Sequence, residues 1–355
     1  MLSLLLATSE QRTPAEVVRW FGAMQAQDVA SGHWSLGVRC AGITESDVLA
    51  AFERRELVRT WPMRGTIHLV AARDVRWLLE LTGVRALSMA AGRQERLGLG
   101  PADGERAATA LDVALSGGQV MTRRECLDAL SEAGFDVSGQ RGYHLLWYAA
   151  HVGAICIGPQ RGPDQTFVRL ADWAPDQVAL SRDDALTELL FRFVRSHGPV
   201  SLKDFAGWSG LTITDARASA TSNAGRITAL GAGSDALWCT PEVAETITTE
   251  SALRDRVVAL PGFDEFLLGY KDRSLHLPEG GMNQVVPGGN GMFRSTIVVN
   301  GEAVATWTRT PRARAIDIAV EPFARITARQ RTAAERSLGD YGRFLGRDVR
   351  VRFAT

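Results

Sequence analysis

Met121-Thr122-Arg123-Arg124-Glu125 reads as the start of a helix. A threonine hydroxyl there accepts a hydrogen bond from the backbone N–H three residues on, and a Glu at that third position accepts one in return. The same plan recurs at Ile43-Thr44-Glu45-Ser46-Asp47 and at Val200-Ser201-Leu202-Lys203-Asp204. The boxes begin at Thr44, Thr122 and Ser201, which are 78 and 79 residues apart. This is a degenerate internal repeat. Capping boxes recur in any helical protein, so agreement of position and following pattern is what carries it. Each copy leads into helices and then strands, and the second and third read as helix-turn-helix with a strand or hairpin after it, the winged-helix plan. The predicted fold class is therefore α+β. Three tandem winged-helix units occupy 1–100, 101–180 and 181–245, each a helical cluster on its own short hairpin. A C-terminal β-barrel or sheet with one closing helix occupies 246–355.

Outward from the boxes, Thr13-Pro14-Ala15-Glu16 caps a helix on which Val17, Trp20, Phe21 and Met24 recur at i, i+3, i+4, i+7. Trp34 to Cys40 alternates weakly and reads as a short strand. Leu57 to Val70 reads as strand, with Arg64, Thr66 and His68 on one face and Met63, Ile67 and Leu69 on the other. Helices are expected at 72–81, 83–97, 103–115 and 140–151. Gly158 to Pro163 makes a hairpin with a basic tip at Arg161. Helices at 182–196 and 212–223 and a strand from Ala236 to Cys239 fill the third unit. From Val257 onward glycine and proline cluster at 278–291 and short β-rich runs appear, closed by a helix over 327–345 and a strand over 349–353.

Of the residues, 45% are apolar and 23% charged, as in a soluble globular protein. The net charge is zero, which argues against a generic polyanion binder. Its distribution is uneven: residues 301–355 hold eleven arginines against six acids. Such stripes make local phosphate-binding surfaces in a neutral protein. Of the 40 basic residues only Lys203 and Lys271 are lysine, a bias that a GC-rich genome also produces. The four cysteines, Cys40, Cys126, Cys156 and Cys239, have no CxxC spacing and read as buried thiols of a reducing cytoplasm. No histidine pair has metal-ligand spacing, so no metal and no other cofactor is expected. The opening Met-Leu-Ser-Leu-Leu-Leu is too short for a signal-peptide core, and no apolar run is long enough to span a membrane. Leu260 to Arg273 packs charge among aromatics: Lys271 and Arg273 suit a phosphate, and the same run also suits a domain junction with Asp264 and Asp272 in ion pairs.

The chemistry-bearing candidate is Gln25-Ala26-Gln27-Asp28. On a continuing helix Gln25 and Gln27 point to opposite sides; on extended backbone they point the same way. An amide is no general base, but its carbonyl oxygen orients a water or faces a developing positive charge. Two polar residues at a helix end would have the same spacing.

Gln25 to Asp28, Arg59-Thr-Trp-Pro-Met-Arg-Gly-Thr-Ile-His68, Tyr143-His-Leu-Leu-Trp147, Ile157 to Gly162, Thr166-Phe-Val168, Ser196 to Pro199, Phe205 to Leu211, Phe263 to Arg273, Val286 to Gly291 and Tyr341 to Gly346 together resemble the winged-helix DNA-binding family that includes the AlkZ and YcaQ bacterial DNA glycosylases. The resemblance covers nearly the whole chain. It implies three winged helices in a C-shape with a C-terminal β-barrel, and monofunctional excision of N7-alkylguanine with unhooking of interstrand crosslinks. The catalytic pattern in that family is Gln-x-Gln or Gln-x-Asp, and this chain carries the former at Gln25 and Gln27. Members usually have a longer lead-in before the first helix; here the pair lies 24 residues in.

The expected function is thus hydrolysis of the N-glycosidic bond of an alkylated guanine in double-stranded DNA by a cytoplasmic monomer with no protein partner. Gln25, Gln27 and Asp28 are the catalytic candidates. Arg64, His68, Arg141, Arg161, Lys271 and Arg273 are the DNA-binding candidates. The alternative is a non-catalytic winged-helix regulator reading duplex DNA through helix 140–151 or 212–223. A scaffold that binds no nucleic acid also fits the zero net charge.

Overall fold

The computed structural model describes residues 1–7, 10–233, 236–249 and 256–354. The first segment holds α1 (Pro14–Phe21), β1 (Met24–Gln25), α2 (Val29–Gly37), α3 (Glu45–Glu53), β2 (Leu57–Met63), β3 (Thr66–Ala71) and α4 (Val75–Arg96). The second holds α5 (Pro101–Ala114), β4 (Met121–Thr122), α6 (Arg123–Glu132), α7 (Arg141–His151), β5 (Ile155–Ile157), β6 (Thr166–Arg169) and α8 (Leu170–Trp173). The third holds α9 (Arg182–His197), α10 (Leu202–Ser209), α11 (Ile213–Ser222), β7 (Thr228–Leu230), β8 (Leu237–Cys239) and α12 (Pro241–Thr249). The last holds β9 (Val257–Leu260), α13 (Glu265–Leu268), α14 (Gly281–Val285), β10 (Ser295–Val299), β11 (Glu302–Pro311), β12 (Ala315–Pro322), α15 (Ala328–Phe344) and β13 (Asp348–Phe353). The class is α+β, and the capping boxes at Thr44, Thr122 and Ser201 all form.

Three local expectations are corrected. Trp34 to Cys40 is no strand: Trp34 to Gly37 end α2, and Ser31 through Leu36 are all buried. A helix buried all round shows no apolar stripe, so its pattern misleads. Leu57 to Val70 is a hairpin rather than one strand. Arg64 and Gly65 have φ of 55° and 71°, as a two-residue primed turn requires, so Arg64 sits at the tip and not on a face with His68. The two helices expected over 72–97 are one, α4, which passes through Gly83. A side chain at Gly83 would come within 3.0 Å of the His151 carbonyl oxygen, so the glycine marks close packing and not a break.

The expectation that each segment keeps its hairpin to itself also fails. The first two segments share a six-stranded sheet, β1-β3-β2-β5-β6-β4, joined where Arg59 pairs with Ile157. Pairing the two hairpin edges removes unpaired backbone donors and acceptors from both. The β7–β8 hairpin stays separate. The C-terminal sheet runs β13-β12-β11-β10-β9, and α15 packs on β9 and β13, its two edges. This is the expected sheet with its closing helix.

Alternate residues of β1–β3–β2 face two different cores. Met24, Leu57, Leu69 and Ala71 join Trp307, Ile316, Ile318 and Tyr341 of the C-terminal region. Ala23, Val58 and Val70 join residues of α4, α9 and α10, among them Leu78, Phe193 and Phe205. A third core gathers Trp61 and Ile67 with α5, α6 and α7. The small sheet is thus the shared wall of segments far apart in sequence. No helix among the described residues is long and apolar enough to cross a membrane.

One buried ion pair pins this arrangement. Arg39, just after α2, gives two bonds of 2.8 Å to the two oxygens of Asp264, and others to the carbonyls of Leu4 and Ser35. Asp264 also caps α13 through the Phe266 N–H at 2.9 Å. Removing one partner of such a pair leaves a buried uncompensated charge. Arg39→Ala is expected to cost about 3–5 kcal/mol, and urea melts of the variant against wild type measure it; a loss under about 1 kcal/mol would contradict the assignment.

Candidate active site

α1 stops at Phe21 because Gly22 turns away with φ of 86°. The chain then runs extended through Met24 and Gln25, which pair with Leu69 and His68 of β3. The Ala26 N–H continues the ladder to the Ile67 carbonyl at 2.8 Å. Gln25 and Gln27 therefore lie on non-helical backbone, the condition under which a two-residue spacing converges. The Gln25 N–H points to the open side of β1, where the Glu265 carboxylate accepts it at 2.9 Å. Gln25 and His68 are thus a non-hydrogen-bonded pair, the kind whose side chains approach most closely.

On the other side of β3, His68 pairs with Thr60 of β2. Gln25, His68 and Thr60 thus form a polar row across one sheet face, continuing the apolar row of Ala23, Val70 and Val58. Gln25 is 8% exposed and His68 0%. His68 Nδ1 donates to the Thr66 carbonyl at 2.9 Å, so its Nε2 carries the lone pair, and that atom and Thr60 Oγ1 have no partner. Burial, with a smaller push from Arg64, lowers the His68 pKa to about 4 and keeps the ring neutral.

Gln27 is exposed, and its side-chain Oε1 accepts the Ile67 N–H at 3.1 Å. The amide thus stands in for a backbone carbonyl at the end of the β1–β3 ladder, one lone pair used and one left. Asp28 is the α2 N-cap, accepting the Ser31 N–H at 2.8 Å, and it pairs with Arg309 at 2.8 Å. Burial raises its pKa, but the Ser31 bond and Arg309 outweigh this and hold the carboxyl below its ordinary value. That makes Asp28 a neutralised cap and a poor base.

The remaining candidates separate into two groups. Arg64, Lys271 and Arg273 line one cavity of about 710 Å³ together with Lys203, Arg217 and Asp204. The Asp204 carboxylate, the one acid among the residues lining this cavity, accepts from Ser201 and from the Lys271 backbone N–H. Arg64 also borders a second cavity with Arg85, Met89 and Trp147. Arg141 and Arg161 lie apart from this cluster. Arg141 is held by the Leu97 carbonyl and by Asp136, and Arg161 by Glu125 and by the Val120 carbonyl at 2.6 Å.

Sequence reasoning passed over Glu265, Lys203 and Arg217. Glu265 is 1% exposed. Besides the Gln25 N–H it takes Trp208 Nε1–H at 2.9 Å and lies 3.3 Å from His197 Nε2. Burial raises its pKa, yet these bonds, that of His197 foremost, bring it down to about 2, so it is ionised. Asp264 is the ion-paired residue that the junction reading expected, whereas Asp272 caps the Ser274 N–H at 2.9 Å. The available signal was Phe263-Asp-Glu-Phe-Leu-Leu268, two carboxylates inside an apolar run, which only partners make tolerable in a core.

A family model described as DNA glycosylase AlkZ-like matches residues 18–344. An interstrand DNA cross-link repair glycosylase from Streptomyces sahachiroi is 25% identical over 333 residues, covering 88% of this chain and 85% of that protein. The structure of Streptomyces sahachiroi DNA glycosylase AlkZ shares the fold with a TM-score of 0.85 at 22% identity, over 100% of this chain and 97% of that one.

The low pKa of Glu265 has a consequence for stability. A carboxyl whose pKa falls on folding stabilises fully above its unfolded value, ordinarily near 4.5, and loses that contribution as pH falls toward 2. Wild type is expected to weaken steeply through this window, and Glu265→Gln to show a flatter acid limb from a lower plateau. Melts at pH 2 to 6 measure this; parallel acid limbs would refute it.

Proposed function

The chain belongs to the AlkZ-like DNA glycosylase family, and from that premise we propose that it excises N7-alkylguanine from double-stranded DNA by hydrolysis of the N-glycosidic bond. We place it in the cytoplasm, as a monomer, without a cofactor. The observation that carries the reading is the Gln25–Gln27 pair on non-helical backbone, with a neutral His68 beside Gln25. N7 alkylation makes the base cationic and weakens its bond to the sugar. The bonding pair of C1′–N9 leaves with the base, which becomes neutral, and the sugar becomes oxocarbenium-like. No strong acid is required for such a leaving group. Water then adds to C1′ and releases a proton to solvent.

In this reading the second lone pair of Gln27 Oε1 orients the water, and the Gln25 carbonyl faces the sugar. A neutral His68 does not repel the cation as an imidazolium would, which is what its burial favours. The Arg64, Lys203, Arg217, Lys271 and Arg273 cluster holds backbone phosphates. Arg161 touches DNA only if it gives up Glu125, and Arg141 is engaged by the Asp136 and Leu97 carbonyls. The Streptomyces sahachiroi relative is a cross-link repair glycosylase, which suggests the same chemistry on each strand of an interstrand crosslink, so we extend the proposal to unhooking.

Two experiments test it. Duplex carrying N7-methylguanine is incubated with protein, then treated with alkali. Wild type is expected to release free base; Gln25→Ala and Gln27→Ala should slow single-turnover excision by roughly 10²–10³. Gln27→Ala should also cost about 1 kcal/mol of stability, because the Ile67 N–H loses its acceptor. Excision at the wild-type rate by both variants would reject catalysis by the pair, and a wild type that releases no base would favour a DNA-binding regulator. In the second experiment, Arg64→Ala and Arg273→Ala should each flatten the log–log salt dependence of DNA binding by about one unit. An unchanged slope in both would remove this cluster from the DNA interface.

A further inference from the structure

A Gln-x-Gln site faces its cationic intermediate with two neutral amides, and the nearest carboxylate in sequence, Asp28, is cancelled by Arg309 at 2.8 Å and screened by solvent. We propose that the buried Glu265 carboxylate, 240 residues away in sequence, supplies the negative potential that this site sets against the departing base's sugar, and that it positions Gln25 through the backbone. The proposal rests on the glycosylase reading above and names a residue that the reading does not require.

The geometry is direct. Glu265 Oε1 lies 2.9 Å from the Gln25 nitrogen, so the first atoms of the Gln25 side chain are within about 5 Å of the charge by covalent geometry. Oε2 is held by Trp208 Nε1–H at 2.9 Å with His197 Nε2 at 3.3 Å, which fixes the carboxyl plane. Among the described residues no arginine or lysine pairs with Glu265, and the Arg64 guanidinium that feels its charge belongs to the β2–β3 hairpin tip. His197, on the Oε2 side, offsets part of this charge, which leaves Oε1 as the negative end facing Gln25, in a place water does not screen. Its effect on a positive centre about 7 Å away, at an effective dielectric of about 20, corresponds to roughly 10- to 100-fold in rate. Glu265 takes no proton in this scheme. Its charge stabilises C1′ and O4′ while the C1′–N9 pair leaves with the base, and water completes the reaction.

The test compares two abasic duplexes, one with a cationic pyrrolidine sugar analogue and one with neutral tetrahydrofuran. Wild type is expected to bind the cationic duplex roughly 10- to 100-fold tighter, and Glu265→Gln to lose that preference along with a similar factor in single-turnover excision. Trp208→Phe removes one donor and keeps the charge, so it should keep the preference; a purely structural role predicts that both variants behave alike. Glu265→Asp, which retains the charge should Glu265→Gln fail to fold, should keep most of the preference. The inference is overturned if Glu265→Gln keeps the wild-type ratio, or if Trp208→Phe or Glu265→Asp loses it completely. A wild type that releases N7-methylguanine and prefers the cationic duplex, with Glu265→Gln unchanged, rejects this inference alone. A wild type that does neither rejects the glycosylase reading and this inference with it.

Discussion

An ionised carboxylate with almost no exposed surface survives in a protein core only if donors come to it, and the donors that reach Glu265 come from separate parts of the chain. The Gln25 N–H arrives from the N-terminal strand, Trp208 from α10 and His197 from the end of α9. Losing any of them would leave a buried charge under-solvated, at a cost well above that of one surface hydrogen bond. The position of β1, and so of the Gln pair, is tied to the packing of two helices that begin more than 150 residues later. Next to it in sequence, Asp264 does the same for Arg39 and α2. Two adjacent acids thus lock the N-terminal segment against the C-terminal half.

The β1–β3–β2 sheet turns those locks into a site. Its alternation sends Met24 and Leu69 into one core and Ala23 and Val70 into another, so neither face reaches bulk solvent along most of its length. Where the second face stops being apolar, Gln25, His68 and Thr60 follow in a row. That row is itself buried, Gln25 at 8% exposure and His68 and Thr60 at 0%. His68 Nε2 and Thr60 Oγ1 are left without a hydrogen-bond partner in that row.

Charge is arranged on the same logic. The protein is neutral overall, yet its only two lysines and three of its arginines surround one cavity. Hairpin geometry delivers Arg64 to that cavity: the positive φ at Arg64 and Gly65 pushes the side chain off the sheet, so a residue that alternation assigns to the His68 face instead reaches α10 and the Lys271 segment. The cationic cavity and the glutamine strand lie on either side of Glu265, which touches Trp208 in one and Gln25 in the other.

The sequence by itself determined what depends on near neighbours. The boxes at Thr44, Thr122 and Ser201, the Arg161 hairpin and the C-terminal strands are set by contacts within about four residues or by side-chain alternation, and these can be counted along the chain. Where burial is complete that alternation vanishes, which is why α2 looked like a strand and the turn at Arg64 was lost in a continuous β pattern. Only the tertiary structure decided that two hairpins share a sheet, that Asp28 is neutralised by a residue 281 positions away, and that Glu265 sits against Gln25. The physical reason is the range of the forces involved. A cap or a turn is satisfied by atoms a few bonds along the same backbone, whereas a buried charge is satisfied by whichever donors the completed packing brings within 3 Å, and nothing in its own stretch of sequence names them.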